Sequence, residues 1–225
     1  MNKYYEPQYD VLDEMMNQNG GLSTFGPMSS FTWNNDPKRL LFVLSRYKTT
    51  AKLLENQDSV LEIGCGDAFG SRIVKQHVKD LTVSDIDPKM IEAVKFTHSK
   101  YYPIKTLHHN FLFNPTFEKF SAAYLLDVLE HIDISQEDIF LKNIINSLRP
   151  NGVLIIGMPS LESQLYASEE SKKGHINCKR MEDLKNCMEK YFNNVFMFSM
   201  NDEVLHTGFS RMSNYIFSLC VSSKL

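Results

Sequence analysis

The chain has 225 residues, enough for one domain with appendages and short of two complete ones. Its 24 Lys and Arg against 27 Asp and Glu leave a net charge of −3, which excludes a general attraction to nucleic acid or an anionic membrane surface. With 43% hydrophobic and 23% charged residues the composition is that of a globular protein and excludes wholesale disorder.

Residues 1–35 are rich in Asn, Gly, Ser and Pro but carry Tyr4, Tyr5, Phe31 and Trp33, so they are expected to form a flexible or lid segment ahead of a single domain over 36–225. A helix is predicted next, with Asp36 as N-cap, Pro37 at its first position, and Leu40, Leu44, Tyr47, Ala51 and Leu54 forming one apolar stripe. From residue 59 strands and helices alternate. Strands are predicted at 59–63, 81–84, 104–107, 122–126 and 152–158, with helices near 69–78, 88–100 and 136–148 between them. A polar loop (159–178), a helix near 180–191 and two strands at 194–200 and 213–221 follow. The strands lack strict alternation, as expected when both faces of a sheet are covered. Strand–helix–strand repetition therefore gives a doubly wound α/β domain with a mostly parallel, seven-stranded sheet. Ligands of such sheets bind beyond the carboxyl ends of the strands, at the loops after 63, 84, 107, 126, 157 and 200.

Four cysteines (Cys65, Cys178, Cys187 and Cys220) contain no C-x-x-C pair, so neither a disulfide framework nor a structural zinc site is expected. The longest apolar runs, 40–44 and 152–158, are far shorter than the ~20 residues of a membrane helix, and nothing resembles a secretory leader. A cytoplasmic monomer or homodimer with no membrane contact is the expectation.

The loop after the first sheet strand reads EIGCGDAFG, with Gly64, Gly66 and Gly70 permitting a tight bend and close approach of a ligand to the backbone. Asp85 follows the second strand, where a carboxylate can accept both ribose hydroxyls of an adenosine-type cofactor. Glu62 and Asp67 flank the loop, and two carboxylates repel a pyrophosphate but suit a ligand carrying a sulfonium and an ammonium group. Phe69 also stands where a dinucleotide fingerprint has its third glycine. An NAD(P)-dependent oxidoreductase is disfavoured on both counts, and S-adenosylmethionine fits.

Over about residues 58–200 the sequence resembles the class I S-adenosylmethionine-dependent methyltransferases, through VLEIGCGDAFGS, VSDIDPKMI, LLDVLEHI and SLRPNGVLIIGMPS in that order. The resemblance implies a Rossmann-like methyltransferase fold with its last strand antiparallel and an N-terminal helical lid. It also implies S-adenosyl-L-methionine as cofactor and S-adenosyl-L-homocysteine as product. By the same resemblance Glu62, Gly64 and Gly66 contact the methionine moiety, Asp85 holds the ribose, Ile86 lies against the adenine and Asn110 takes the adenine amino group, with Cys65, Asp67 and Phe111 also cofactor-binding. Asn110 replaces the family's more usual acid there, and its carbonyl can still accept from the adenine amino group. Asp127 after the fourth strand, and Arg46 as partner of the cofactor carboxylate, complete the set.

Methyl transfer from a sulfonium needs alignment and, for a hydroxyl acceptor, a base. His131, His175 and His206 follow the fourth, fifth and sixth large strands on the carboxyl edge and are the candidates. His77 and His98 fall in predicted helices. Met28, Phe31 and Trp33 could close over the cofactor, and Tyr166 and Arg211 lie in loops at the mouth. These loops are polar, which favours a small polar, anionic or sugar-like acceptor over a lipid, and oxygen, ahead of nitrogen, is the expected acceptor atom. Competing readings are a catalytically silent cofactor-binding subunit and a metal-assisted O-methyltransferase on a catechol-like or RNA hydroxyl. For the latter, Asp127-x-x-Glu130-His131 with a later histidine resembles the metal sets of ubiquinone-pathway and small-RNA methyltransferases. The short basic pairs Lys172-Lys173 and Lys179-Arg180 argue against RNA.

Overall fold

The computed structural model describes residues 11, 14–15, 23–97 and 101–225. Tyr4, Tyr5, His98 and most of the first 22 residues lie outside the described residues. Two helices open the described chain, α1 (Pro27–Asn35) and α2 (Pro37–Leu53). Asp36 stands between them, yet its side chain makes no cap bond; its backbone N–H instead closes α1 by donating to Thr32 O, and Pro37 starts α2. The expected stripe of α2 is buried at Leu40, Tyr47, Ala51 and Leu54.

The sheet is built from β1 (Ser59–Ile63), β2 (Asp80–Asp85), β3 (Lys105–His108), β4 (Phe120–Leu126), β5 (Leu148–Pro159), β6 (Phe192–Asn201), β7 (Val204–His206) and β8 (Tyr215–Ser223). Their spatial order is β3-β2-β1-β4-β5-β8-β6-β7. The pairs among β1 to β5 are parallel, and β8 runs antiparallel to both β5 and β6. All seven predicted strands are present. The eighth, β7, is a three-residue partner of β6 formed by a hairpin in which Asp202 adopts φ +50°. Its residues had no apolar alternation to betray a strand; the turn creates it.

The connecting helices are α3 (Ser71–Lys75), α4 (Pro88–Phe96), α5 (Glu137–Ile145), α6 (Glu169–Gly174) and α7 (Met181–Glu189). Asp87 caps α4 by accepting from Lys89 N–H at 2.9 Å. One face of the sheet packs α5 and α7 through Phe140, Leu141, Ile144, Leu184 and Met188. The other packs α2, α3 and α4 through Tyr47, Ala51, Val74, Ile91 and Val94. The chain runs outward from β1 to β3 and then crosses back to β4, so the strand order reverses between β1 and β4. That switch point is where a sheet of this kind opens a crevice at its carboxyl edge. Among the described residues no helix is long and apolar enough to cross a membrane.

Candidate active site

Gly64 and Gly66 at the end of β1 hold φ +71° and +54°, a region side chains disfavour. A Cβ on Gly64 would lie 2.4 Å from Val128 Cγ2, so only glycine fits. The turn is fixed by Gly64 and Cys65 N–H donating to Ser84 O, and by Gly66 N–H donating to Asp85 Oδ2 at 2.9 Å. Asp85 Oδ1 accepts from Asp87 N–H at 2.9 Å. Each Asp85 oxygen keeps a lone pair for a ribose hydroxyl. Beyond it Ile86 is 58% exposed, an apolar surface for a flat ring, while His108 bonds its carbonyl at 2.9 Å. Asn110 Oδ1 already accepts from Leu112 N–H, with its second lone pair left over. The Phe111 side chain is turned into the core between His109 and Phe140, so only its backbone can meet a ligand; Cys65 is likewise buried.

Glu62 points into the core. Its Oε1 accepts from Tyr47 of α2 at 2.7 Å and its Oε2 from Tyr124 of β4 at 2.6 Å. Burial pushes its carboxyl up to about 7, with Ser71 and then the two phenols pulling the other way. Asp67 is also spoken for: Ser29 donates to Oδ2 from both its N–H (2.7 Å) and its hydroxyl (2.8 Å). These bonds fasten α1 over the glycine loop, with Met28 Sδ where a Cβ on Gly66 would be. Trp33 and Phe25 meet edge to face, and Phe25 meets Phe69 in the same way, whereas Phe31 faces solvent.

Arg46 follows from the Tyr47 anchor. Its Nη1 bonds both oxygens of Asp127, at 2.9 and 2.7 Å, and its guanidinium lies 4.0 Å above the Tyr215 ring. Burial works against the charge, but Asp127 and Tyr215 keep the guanidinium pKa above its ordinary value. Only one of its nitrogens is used by Asp127, so the others can meet a cofactor carboxylate.

Across the sheet edge, His131 and His175 meet with ring centroids 5.2 Å apart. His131 Nδ1 bonds Gly174 O at 2.8 Å; a carbonyl only accepts, so Nδ1 carries a proton, and in the neutral ring Nε2 is left with the lone pair. His175 Nδ1 bonds Gln164 Oε1 at 2.9 Å, with the same consequence. Burial and the neighbouring His131 lower the pKa of His175 below its ordinary value, which favours its neutral form. Glu130 is fully buried, and neither of its carboxylate oxygens has a partner among the described residues. Burial, helped by Asp127, pushes it up to about 9. Ligand atoms of Glu130, His131 and His175 lie within 4.8 Å of one another. Asp127 is outside this cluster, held by Arg46.

His206 is not brought to that pair. Its strand β7 is separated from β5 by β8 and β6. Both its nitrogens are occupied, Nδ1 accepting from Gly208 N–H and Nε2 donating to Asn201 Oδ1. As a catalytic candidate it stands apart from the other two histidines, tied into its own hairpin. Tyr166 is almost wholly exposed in a 3-10 turn, and Arg211 lies exposed in another.

The methyltransferase domain family matches residues 35–194 of the sequence. The chain belongs to this family. It is an S-adenosylmethionine-dependent methyltransferase, which retires the oxidoreductase reading. No curated protein matches the methyltransferase significantly. Among solved structures it is similar to the N-methyltransferase NodS from Bradyrhizobium japonicum in complex with S-adenosyl-L-homocysteine, at 19% identity and TM-score 0.61, over 96% of this chain and 99% of that one. The methyltransferase domain of bacterial CtHen1 matches at 17% identity and TM-score 0.64, covering 80% and 99%. The plantazolicin methyltransferase BpumL matches at 12% and 0.63, covering 88% and 90%. At these identities the likeness shows the fold.

Tyr47, Tyr124, Tyr215 and Ser29 escaped the sequence reading, the tyrosines because they sit in apolar stripes where a phenol looks like any other core ring. The pH dependence of stability tests the Glu130 environment. The folded chain holds this proton up to about 9 and the unfolded chain releases it near 4.5. Its contribution is therefore complete below the lower value and is lost as the pH climbs through the upper one. In chelator, Glu130→Gln should be more stable than the parent chain by up to ~6 kcal/mol at the alkaline end and equal to it in acid. Parallel pH profiles by thermal denaturation would contradict this.

Proposed function

We propose that the enzyme methylates an oxygen, or less readily a nitrogen, of a small polar molecule, with His131 as the base and His175 beside it. The observation that supports this is the pair of imidazoles on the carboxyl edge, each tethered through Nδ1 and offering Nε2. S-adenosylmethionine supplies an electrophilic methyl group on a sulfonium. Asp85 accepts the ribose hydroxyls, Ile86 covers the adenine, Gly64 and Gly66 allow the backbone to approach, and Arg46 binds the carboxylate. Glu62 and Asp67 act one step back, Glu62 by holding α2 and Asp67 by holding α1 as a lid. His131 Nε2 takes the proton that the acceptor loses as it gains the methyl group, and the broken carbon–sulfur bond leaves S-adenosyl-L-homocysteine as the product. Residues 27–35 close the site and exclude water.

A second reading, metal assistance, is favoured by Glu130: a buried carboxyl with two unpartnered oxygens beside two imidazole lone pairs fits a divalent cation. Glu130, His131 and His175 would hold it, and it would lower the pKa of the acceptor hydroxyl. The neighbours named above include an N-methyltransferase and a plantazolicin methyltransferase, so the fold does not choose the acceptor.

Calorimetry should show S-adenosyl-L-homocysteine binding and no NAD(P) binding, with Asp85→Ala weakening affinity by about 10–100-fold through lost hydrogen bonds to a charged group. Unchanged affinity would remove Asp85 from the site. Transfer of labelled methyl from the cofactor into a cell extract should fall by about 10²–10⁴-fold in His131→Ala. Parent activity that survives a chelator assigns His131 as base. Activity abolished by the chelator assigns the metal. Full activity of His131→Ala removes both.

A further inference from the structure

Behind the histidine pair lies a polar cluster that no step above uses. Glu137, in the first turn of α5, is buried; its Oε2 receives Asn177 Nδ2 at 2.7 Å and Lys179 Nζ at 2.8 Å, and its Oε1 receives Cys187 Sγ of α7 at 3.2 Å. Lys179 Nζ also donates to Asn177 Oδ1 at 3.1 Å, and Lys179 is itself buried. Burial by itself would raise the Glu137 carboxyl, but these donors hold it below its ordinary value. The cluster ties together both ends of the loop that carries His175. At the far end, Asn177 N–H donates to Glu130 O at 2.9 Å. At the near end, Leu161 N–H donates to Lys179 O at 2.9 Å, and Ser160 pairs with Lys179 in a parallel bridge. Between these pins the loop delivers two things to His131: the Gly174 carbonyl and the His175 ring.

A buried ion pair returns in Coulomb energy about what it costs in desolvation, and apolar side chains of similar volume stabilise as well. Stability alone therefore does not account for Glu137 and Lys179. What an ion pair with directed hydrogen bonds supplies is a unique placement of the segments that it joins. An untethered neutral imidazole in water prefers its proton on Nε2, and the Gly174 carbonyl reverses that preference only if the loop is held within hydrogen-bond reach.

We propose that Glu137, through Lys179 and Asn177, is a positioning residue that holds the 161–178 loop so that the Gly174 carbonyl keeps the His131 proton on Nδ1 and leaves Nε2 basic toward the acceptor. The inference rests on the reading of His131 as the acceptor-side group. Its test does not need the acceptor. Long-range proton–nitrogen correlation spectra of the nitrogen-15-labelled full chain, in mildly alkaline buffer with chelator, report the tautomer of each histidine, and His131→Gln identifies the signal. The parent chain and Lys179→Arg should show His131 protonated on Nδ1. Lys179→Met and the apolar pair Glu137→Leu/Lys179→Met should move it to the Nε2–H form, while calorimetric affinity for S-adenosyl-L-homocysteine stays unchanged. The apolar pair keeps the test open if the single variant does not fold. A folded apolar pair that retains the Nδ1–H form would overturn the proposal. So would a tautomer change accompanied by loss of S-adenosyl-L-homocysteine binding, which would make the cluster a general packing element. The reading of His131 as base fails separately, through full methyl transfer by His131→Ala.

Discussion

A carboxylate that cannot be solvated organises this edge of the molecule. Glu62 ends β1 inside the core, and its two oxygens are answered by one phenol from α2 and one from β4. An unmet buried carboxylate is among the costliest groups a fold can contain, so both tyrosines are required in place. Each is a short step from chemistry: Tyr47 is followed back along α2 by Arg46, and Tyr124 is followed three residues later by Asp127. Satisfying Glu62 therefore brings Arg46 and Asp127 together across the top of the glycine loop, where they pair.

Asp127 divides the edge into two chemical halves. On the α2 side lie the glycine loop, Asp85, Ile86 and Arg46, a set of backbone approach, carboxylate and cation suited to a nucleoside attached to an amino acid. On the α5 side lie Glu130, whose carboxylate oxygens meet no partner among the described residues, and His131 and His175, each pinned through Nδ1. The α1 helix, latched by Ser29 to Asp67, covers the first half. Under the proposed reading, a cofactor bound in the first half and an acceptor in the second would meet near Asp127, in the alignment an in-line displacement requires.

Much of this was legible in the residues. The alternation of short apolar strands with helices gave the sheet and its edge, and Gly64, Gly66 and Asp85 stood out as cofactor-site candidates, because glycine at positive φ and an acid after β2 answer local constraints. Interactions distant along the chain were not legible. Nothing in the sequence distinguishes His206, stapled by its own hairpin, from His175, presented to His131 by a loop of the same polarity. Asp67 and Glu62 read as ligand carboxylates because both flank the glycines, but their partners, Ser29, Tyr47 and Tyr124, lie 15 to 62 residues away. Phe111 was placed correctly along the chain but faces the core, since the turn after β3 rotates it toward Phe140.

The division of the edge at Asp127 is open to direct view in a crystal structure of the enzyme grown with S-adenosyl-L-homocysteine. The expected density places the ribose on Asp85 and the carboxylate on Arg46, with the sulfur facing His131 and His175. Density with the sulfur directed away from the two histidines, or a carboxylate bound anywhere other than Arg46, would contradict it.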